Sequence, residues 1–544
     1  MPIRLAAGDR VYEWEWNPAI LDILRRFARF DPSTKTWHAR YVPCWAARVL
    51  AIDGECFDAE WRGSYVAVSE PEERVKTACC YRAKRWRVER DGEGGHGGAG
   101  TPGQRRRPRA VLVEEEYCLY LRLDDGRLLV PRGIALRVAR RVPDFAPGLP
   151  ELSGFGGLRD YQAEVARSAW AQLRKIGAAT IQMATGAGKS YLAGYLARKL
   201  VDAGYAVIMS ALTLDLVYQL RDFAARFGAT KNVHAVTVQT LYRRLSGRSV
   251  VEDAEGEEDR EILKHYADET PGVGDEIASV ADKRNVALIL DEVQHVPART
   301  VRYVATRVGG GWALRIGLSA TPWRSDGHDL VIYAVMGEIV EPRISSSYLI
   351  ERGYAVPVEI RVVRAPECPG VRELGSARGA EGYARVRKAL AECEPRNKFI
   401  VELAQRSEKP VMVLVRLVSH AERLASMMRR AGLRAAAATG AVKGEERERL
   451  FGALKSGALG VIVATQLADE GLDLPPLRTL ILAMADKSRT RTLQRIGRLV
   501  RPWPGKSVGV AYELYDDVPF FREHLRERME LYATEPAWRV AWEA

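Results

Sequence analysis

The stretch that most constrains this chain is Met183-Ala-Thr-Gly-Ala-Gly-Lys-Ser190. The apolar run Ala178–Ile181 before it reads as a buried strand, and Tyr191–Ala197 after it as the first turns of a helix. A glycine-containing loop between strand and helix presents successive backbone N–H groups to a phosphate chain, and the helix N-terminus adds its positive dipole end. Thr185, Gly186, Ala187 and Gly188 line that cradle, Lys189 is placed for the β- and γ-phosphates, and the Ser190 hydroxyl for Mg²⁺. Met183 stands where the full pattern has its first glycine. The cofactors this pattern implies are ATP and Mg²⁺.

Around this loop, strands and helices alternate. Tyr205–Met209 and Val233–Val238 read as strands, with a helix over 215–227 between them. Val286–Leu290 is a strand ending on Asp291-Glu292. Beyond Pro410 a second series begins, with strands at Val411–Val415, Arg434–Ala438, Leu459–Thr465 and Thr479–Ala485, and a last helix over Thr490–Val500. Alternating β and α elements imply parallel sheets covered on both faces. The fold class is therefore α/β, with two similar lobes in tandem.

The first 145 residues differ. Six of the twelve tryptophans fall in the first 90: Trp14, Trp16, Trp37, Trp45, Trp61 and Trp86. Short alternating segments with a helix over Pro18–Phe30 suggest a small α+β module, whose tryptophans either build its core or stack on bases. Residues 91–110, glycine-rich and then arginine-rich, are a linker or a long hairpin tip. The acidic stretch within 246–284 reads as a solvated insertion. We expect boundaries at 1–145, 150–345, 346–400 (a connector of little periodicity), 401–520 and 521–544 (a tail).

The net charge of +12 suits a polyanionic partner, and no run of 18 apolar residues offers a membrane span, so a cytoplasmic location is expected. The seven cysteines form no CxxC pair, which argues against a zinc or iron–sulfur site. Free buried thiols are the simplest expectation, with one disulfide open to a hyperthermophile source.

Asp291 ends its strand where a carboxylate can hold Mg²⁺, and Glu292 can orient or deprotonate an attacking water. Gln494-Arg-Ile-Gly-Arg-Leu-Val-Arg501 supplies Arg498 and Arg501, three apart on the expected helix and suited to a γ-phosphate. Gly497 within a helix calls for a reason. Upstream, Gln162 is placed to read an adenine edge with its amide.

Residues 155–515 resemble superfamily 2 helicases. Arg159, Tyr161 and Gln162 are similar to the Q-motif, 184–190 to motif I, 213–219 to motif Ia, 237–240 to motif Ib and Asp291-Glu-Val-Gln294 to motif II. Ser319-Ala-Thr-Pro322 resembles motif III, Thr465 through Gly471 and Asp473 motif V, and Gln494–Arg501 motif VI. Within the superfamily, Asp291–Ala298, Arg324-Ser325-Asp326 and Arg396-Asn-Lys-Phe399 resemble the xeroderma pigmentosum group B (XPB) type, particularly its short archaeal forms. Gln294 stands where that family has His, and Ser325 where it has an acid; the first bears on coupling of hydrolysis to movement, the second on duplex opening.

The resemblance implies two RecA-like lobes with ATP in a cleft and a 3′-to-5′ DNA helicase or translocase serving DNA repair or transcription-linked opening. It implies catalytic roles for Lys189, Asp291, Glu292, Gln494, Arg498 and Arg501, and nucleotide contacts from Arg159, Gln162, Gly471 and Asp473. Single-stranded or forked DNA would meet Thr213, Gln219, Gln239, Thr240, Arg416, Thr439 and Thr465. A short thumb-like insert is expected within 365–395, and a nuclease or a transcription or repair protein is the implied partner. A restriction-type motor subunit and an ATP-gated nucleic-acid scaffold are the alternative readings. Removing residues 1–145 is expected to leave ATP hydrolysis in place but to weaken engagement of DNA.

Overall fold

Short alternating segments separated by turn residues give the N-terminal module two small sheets. β1 (Ile3–Ala7), β2 (Arg10–Trp14), β3 (Arg29–Asp31) and β4 (Thr36–Ala39) lie in the order β2-β1-β4-β3. The Asn17 side chain caps a helix over Pro18–Leu24, accepting from the Ala19 N–H at 2.9 Å. That helix stops at Leu24 rather than Phe30, because Arg29, Phe30 and Asp31 pair with β4 instead. Trp14 and Trp37 pack on the core of Ile3, Leu5 and Leu24, so they serve packing; Trp16 is exposed. This computed structural model describes the chain except residues 1, 8–9, 26–27, 40–41, 51, 53–56, 58, 70–71, 90–108, 147, 248–269, 271–273, 275, 325, 375–379, 441, 443, 466–473, 485–488 and 544. The glycine-rich stretch, most of the acidic insertion, Ser325, Gly471 and Asp473 thus lie outside the described residues.

The second sheet holds β5 (Ala59–Arg62) and β6 (Tyr65–Val68), with β9 (Leu121–Arg122) and β10 (Leu128–Pro131), in the order β5-β6-β10-β9. Between them β7 (Cys80–Glu89) and β8 (Arg109–Cys118) pair antiparallel from Cys80↔Cys118 to Glu89↔Arg109. β7 and β8 are thus direct antiparallel partners, while the glycine- and arginine-rich residues between them, expected to be a linker or a hairpin tip, lie outside the described residues. A Cys80–Cys118 disulfide closes the base of this strand pair, and a second bridge joins Cys368 to Cys393, so the free-thiol expectation fails at these four positions. Cys79 is a buried free thiol.

This module shares one compact unit with the first parallel sheet. Two compact units divide the chain, one of residues 1–181 with 190–342 and the other of 182–189 with 343–544. Within the first, Arg132 and Arg315 are each fully buried. Arg132 donates to the carbonyls of Gly177, Gly311 and Ala313 at 3.2–3.3 Å. Arg315 donates to Val335 O at 2.8 Å, to Gly311 O at 3.0 Å and to Ser64 Oγ. A Cβ on Gly133 would lie 2.3 Å from Tyr333 O, and one on Gly311 2.5 Å from Ser64 N, so glycine is what allows the two backbones to meet.

The sheet of this unit has β11 (Ala178–Gln182), β12 (Ala206–Ala211), β13 (Val233–Thr237), β14 (Val286–Asp291) and β15 (Leu314–Ser319) in the order β11-β15-β14-β12-β13. β14 pairs parallel with both β12 and β15, and β12 parallel with β13. Every residue of β14 and β15 is buried, as a strand covered on both faces requires.

The second unit carries a seven-stranded sheet. β16 (Val358–Arg364), β17 (Val411–Val415), β18 (Ala435–Ala438), β19 (Val461–Thr465), β20 (Thr479–Leu482), β21 (Gly509–Tyr515) and β22 (Trp538–Glu543) run in the order β18-β19-β17-β20-β21-β16-β22, with every neighbouring pair parallel. Two expectations are corrected here. The supposed connector contributes β16, inside the sheet, and the supposed tail contributes β22 at its edge after a helix over Pro519–Tyr532. Within 365–395 the structure describes helices at Val371–Leu374 and Ala380–Glu392 and the Cys368–Cys393 bridge.

Candidate active site

The phosphate loop is held by its backbone. Ala184 N donates to Ile344 O at 2.6 Å, and Ile344 N to Gln182 O at 3.1 Å. Met183 is fully buried and bridges to Ile344, so it prolongs the strand and needs no glycine. Gly186 and Gly188 have φ of 86° and 82°, the left-handed region that glycine enters without cost. Lys189 Nζ donates to Met183 O at 3.2 Å and so folds over the loop. Ser190 Oγ donates to Gln219 Oε1 at 3.3 Å. Gln219, expected to face nucleic acid, is thus turned to the Mg²⁺ serine. The Gln162 carboxamide caps its own helix, accepting from Arg159 N at 3.0 Å, and Arg159 Nη1 donates to Tyr161 OH at 3.1 Å.

Asp291 is buried at the end of β14, and its Oδ1 accepts from Glu292 N at 3.0 Å. Glu292 has φ 55° and ψ 52°, a strained conformation for a residue with a Cβ. Its Oε2 accepts from Gln294 Nε2 at 2.6 Å. Gln294 Oε1 in turn accepts from Ser319 Oγ at 2.6 Å, and Ser319 Oγ accepts from Thr321 N at 2.9 Å. The neutral amide at 294 therefore joins the Asp-Glu pair to the end of β15. The chain of bonds continues: Arg324 Nη1 donates to Gln294 O at 3.2 Å and its guanidinium pairs with Asp326. Burial would raise the Asp326 carboxyl, but the Arg324 bonds outweigh it and hold the group low. Asp326 O accepts from Lys84 N on β7 at 2.9 Å, and Tyr81 OH meets His328 Nδ1 at 2.6 Å. The sequence alone did not reveal this route from Glu292 to the hairpin, since no local pattern links residues 81–84 to 326–328.

Arg498 and Arg501 do not share a helix face. The helix Arg489–Ile496 ends before them, and turns follow, with Arg498 N donating to Arg495 O and Leu499 N to Ile496 O. Gly497 has its reason: a Cβ there would lie 2.9 Å from Thr185 Cβ and 2.8 Å from Leu493 O. A Cβ on Gly186 would lie 3.2 Å from Arg501 Cγ. The phosphate loop, Gly497 and Arg501 are thus brought together within the second unit. Arg498 is buried and Gln494 half-buried. Burial pulls the Arg501 guanidinium down to about 10, so it remains charged at neutral pH.

The expected nucleic-acid side chains fare differently. Gln239, Thr240, Thr439 and Thr465 are buried. Thr240 Oγ1 meets Thr237 Oγ1 at 2.8 Å and accepts from Thr270 N at 2.8 Å, so it is an internal strut. Thr213 Oγ1 caps the helix Leu214–Arg226, accepting from Leu216 N at 3.3 Å. Arg416 is half-buried.

The donor set fits ATP with Mg²⁺. Two left-handed glycines, a lysine and a serine hydroxyl lie on one loop, and Asp291 supplies an oxygen of the hard kind Mg²⁺ takes.

Residues 156–324 match the family described as the res subunit of type III restriction enzymes, and residues 395–502 match the helicase conserved C-terminal domain. A protein of Sulfolobus islandicus filamentous virus (isolate Iceland/Hveragerdi), named as helicase 22, is 26% identical over 93% of this chain and 92% of its own length. The DNA 3′-5′ helicase XPB of Kineococcus radiotolerans is 29% identical over 41% of this chain, which spans 38% of that protein. Among solved structures, Mycobacterium smegmatis helicase Lhr bound to ssDNA and AMP-PNP is 19% identical, with a TM-score of 0.43, covering 72% of this chain and 52% of that one. On its two matched domains, the chain is a superfamily 2 helicase, an ATP-dependent enzyme that acts on nucleic acid.

Proposed function

We propose that the chain is a DNA helicase or translocase that moves 3′ to 5′, of the XPB type, acting in DNA repair or transcription-linked opening. The observation that carries the motor reading is the approach of Gly497 and Arg501 to the phosphate loop at Thr185 and Gly186. In this reading the loop N–H groups and Lys189 bind the phosphates, and Ser190 and Asp291 hold Mg²⁺. ATP with Mg²⁺ supplies the phosphoryl group whose transfer to water drives movement. Glu292, oriented by Gln294, positions the attacking water and takes its proton. Arg501, with Arg498 behind it, stabilises the charge that develops on the transferred group. The buried threonines favour backbone contacts to phosphate, which carry no sequence information, so binding is sequence-tolerant and weakened by salt.

ATP hydrolysis with DNA and RNA side by side, followed by strand displacement on a 3′-tailed fork, tests the proposal. Stimulation by DNA and displacement of the fork are expected. Stimulation by RNA alone, or hydrolysis with neither movement nor displacement, rejects it. A restriction-type motor subunit is the second reading, favoured by the match over residues 156–324. It predicts translocation along intact duplex without strand separation. Among the described residues no helix is long and apolar enough to cross a membrane.

A further inference from the structure

Lys506 sits in a loop whose other side chains face water. Pro502, Trp503, Pro504, Gly505 and Ser507 are exposed, yet Lys506 is only 6% exposed. A lysine on such a loop gains hydration by turning outward, so an inward lysine needs compensation. Lys506 Nζ donates to Arg501 O at 2.9 Å and to Pro475 O at 3.3 Å. No carboxylate accepts from it among its described contacts. Its charged neighbours are Arg478 and Arg501, and burial with these two guanidiniums pulls the ammonium down to about 7. Arg478 holds the same loop from outside: its Nη1 donates to Gly505 O at 2.7 Å and pairs with Glu408 at 2.6 Å. Lys506 N donates to Trp503 O at 2.9 Å, closing the turn that aims the side chain inward.

We infer that Lys506 is a positioning residue for Arg501, fixing the backbone of that arginine against Pro475 so that its side chain lies along Gly186 of the phosphate loop. Without the ammonium the Arg501 and Pro475 carbonyls lose the donor they share, and the rigid geometry a transition-state contact needs is loosened. Lys506 also links two stretches, because Pro475 closely follows Asp473 and Arg501 ends the Gln494–Arg501 segment. The inference rests on the proposed role of Arg501.

The test uses the full-length protein and DNA-stimulated ATP hydrolysis. Lys506→Met keeps the volume and removes every donor. Its kcat is expected to fall about 10- to 100-fold, while KM for ATP stays within about threefold, since Lys189 and the loop amides still bind the phosphates. Lys506→Arg, which retains donors, is expected to recover most of the loss. The double variant Lys506→Met with Arg501→Ala is expected to be no slower than Arg501→Ala alone. Wild-type turnover in Lys506→Met, or losses that multiply in the double variant, overturns the inference. Should Lys506→Met not fold, Lys506→Leu, which likewise carries no side-chain donor, takes its place under the same criteria. Undiminished turnover in Arg501→Ala alone marks the failure of the parent reading, and the inference falls with it.

Discussion

A single methyl group decides the fit at Gly497. Added there, it would press on Thr185 of the phosphate loop and on Leu493 O. Gly497→Ala is expected to lower kcat for ATP about 100-fold, a loss that displacement of a catalytic group by about 1 Å produces, with little change in melting temperature. Steady-state kinetics beside a thermal melt checks this. Gln294→Ala removes the amide that orients Glu292 and accepts from Ser319, and is expected to lower kcat more than it raises KM. His420 is the residue that fixes acid sensitivity. Its Nε2 donates to Asn397 Oδ1 at 2.8 Å, while its buried Nδ1 has no partner. Burial, with Arg396 and Arg423 nearby, pulls the imidazole down to about 3. A depressed histidine stays neutral in the fold but takes a proton when unfolded. Stability from this group is therefore whole above about 6.5 and declines as pH falls toward 3. Denaturant midpoints across that window should fall in the wild type and fall less in His420→Leu. The loop, Lys189 and Asp291-Glu292 were legible in sequence because their chemistry is tied to short spacings. Lys506 was not, since a lysine in a Pro-Gly-Lys turn reads as a surface residue until the turn is seen to point inward.

At the level of elements, the alternating β and α pattern gave both sheets, and the misses have physical causes. β16 was passed over because Glu359 and Arg361 interrupt a strand that should be apolar on both faces; they pair with each other at 2.9 Å along one half-buried face. β22 was hidden by its position at the sheet edge, where Trp538 is buried but Arg539, Val540, Ala541 and Trp542 are all exposed, so no alternation marks the strand. The last helix of the motor was drawn too long because turns at Gly497–Val500 keep the apolar spacing of a helix. The hairpin β7–β8 carries its own prediction. Its bridge closes a separation of 38 residues, worth about 4 kcal/mol on chain entropy alone. Cys80→Ser with Cys118→Ser is expected to lower stability by roughly that amount, while leaving ATP hydrolysis at 25 °C in place. Chemical denaturation and an ATPase assay on the same preparation decide it.

For the whole molecule, the expectation that removing residues 1–145 spares ATP hydrolysis gives way to a different prediction. Removing them takes away Ser64 and Arg132 and uncovers Arg315, a buried guanidinium that would keep fewer partners. It also strips Phe145 from Trp312. The truncated chain is expected to melt several degrees lower or to aggregate. Expression and thermal melts of the truncation beside the full chain test this. Net charge of +12 adds a second expectation, that affinity for single-stranded DNA falls steeply between low and physiological salt.

The shared Gly311 carbonyl, with a guanidinium on either side, has a practical corollary. A joint of cations on peptide oxygens has no acid to neutralise and lies beyond the reach of dissolved ions. Raising ionic strength should therefore weaken the grip on a polyanion while leaving this joint of the N-terminal module as it was.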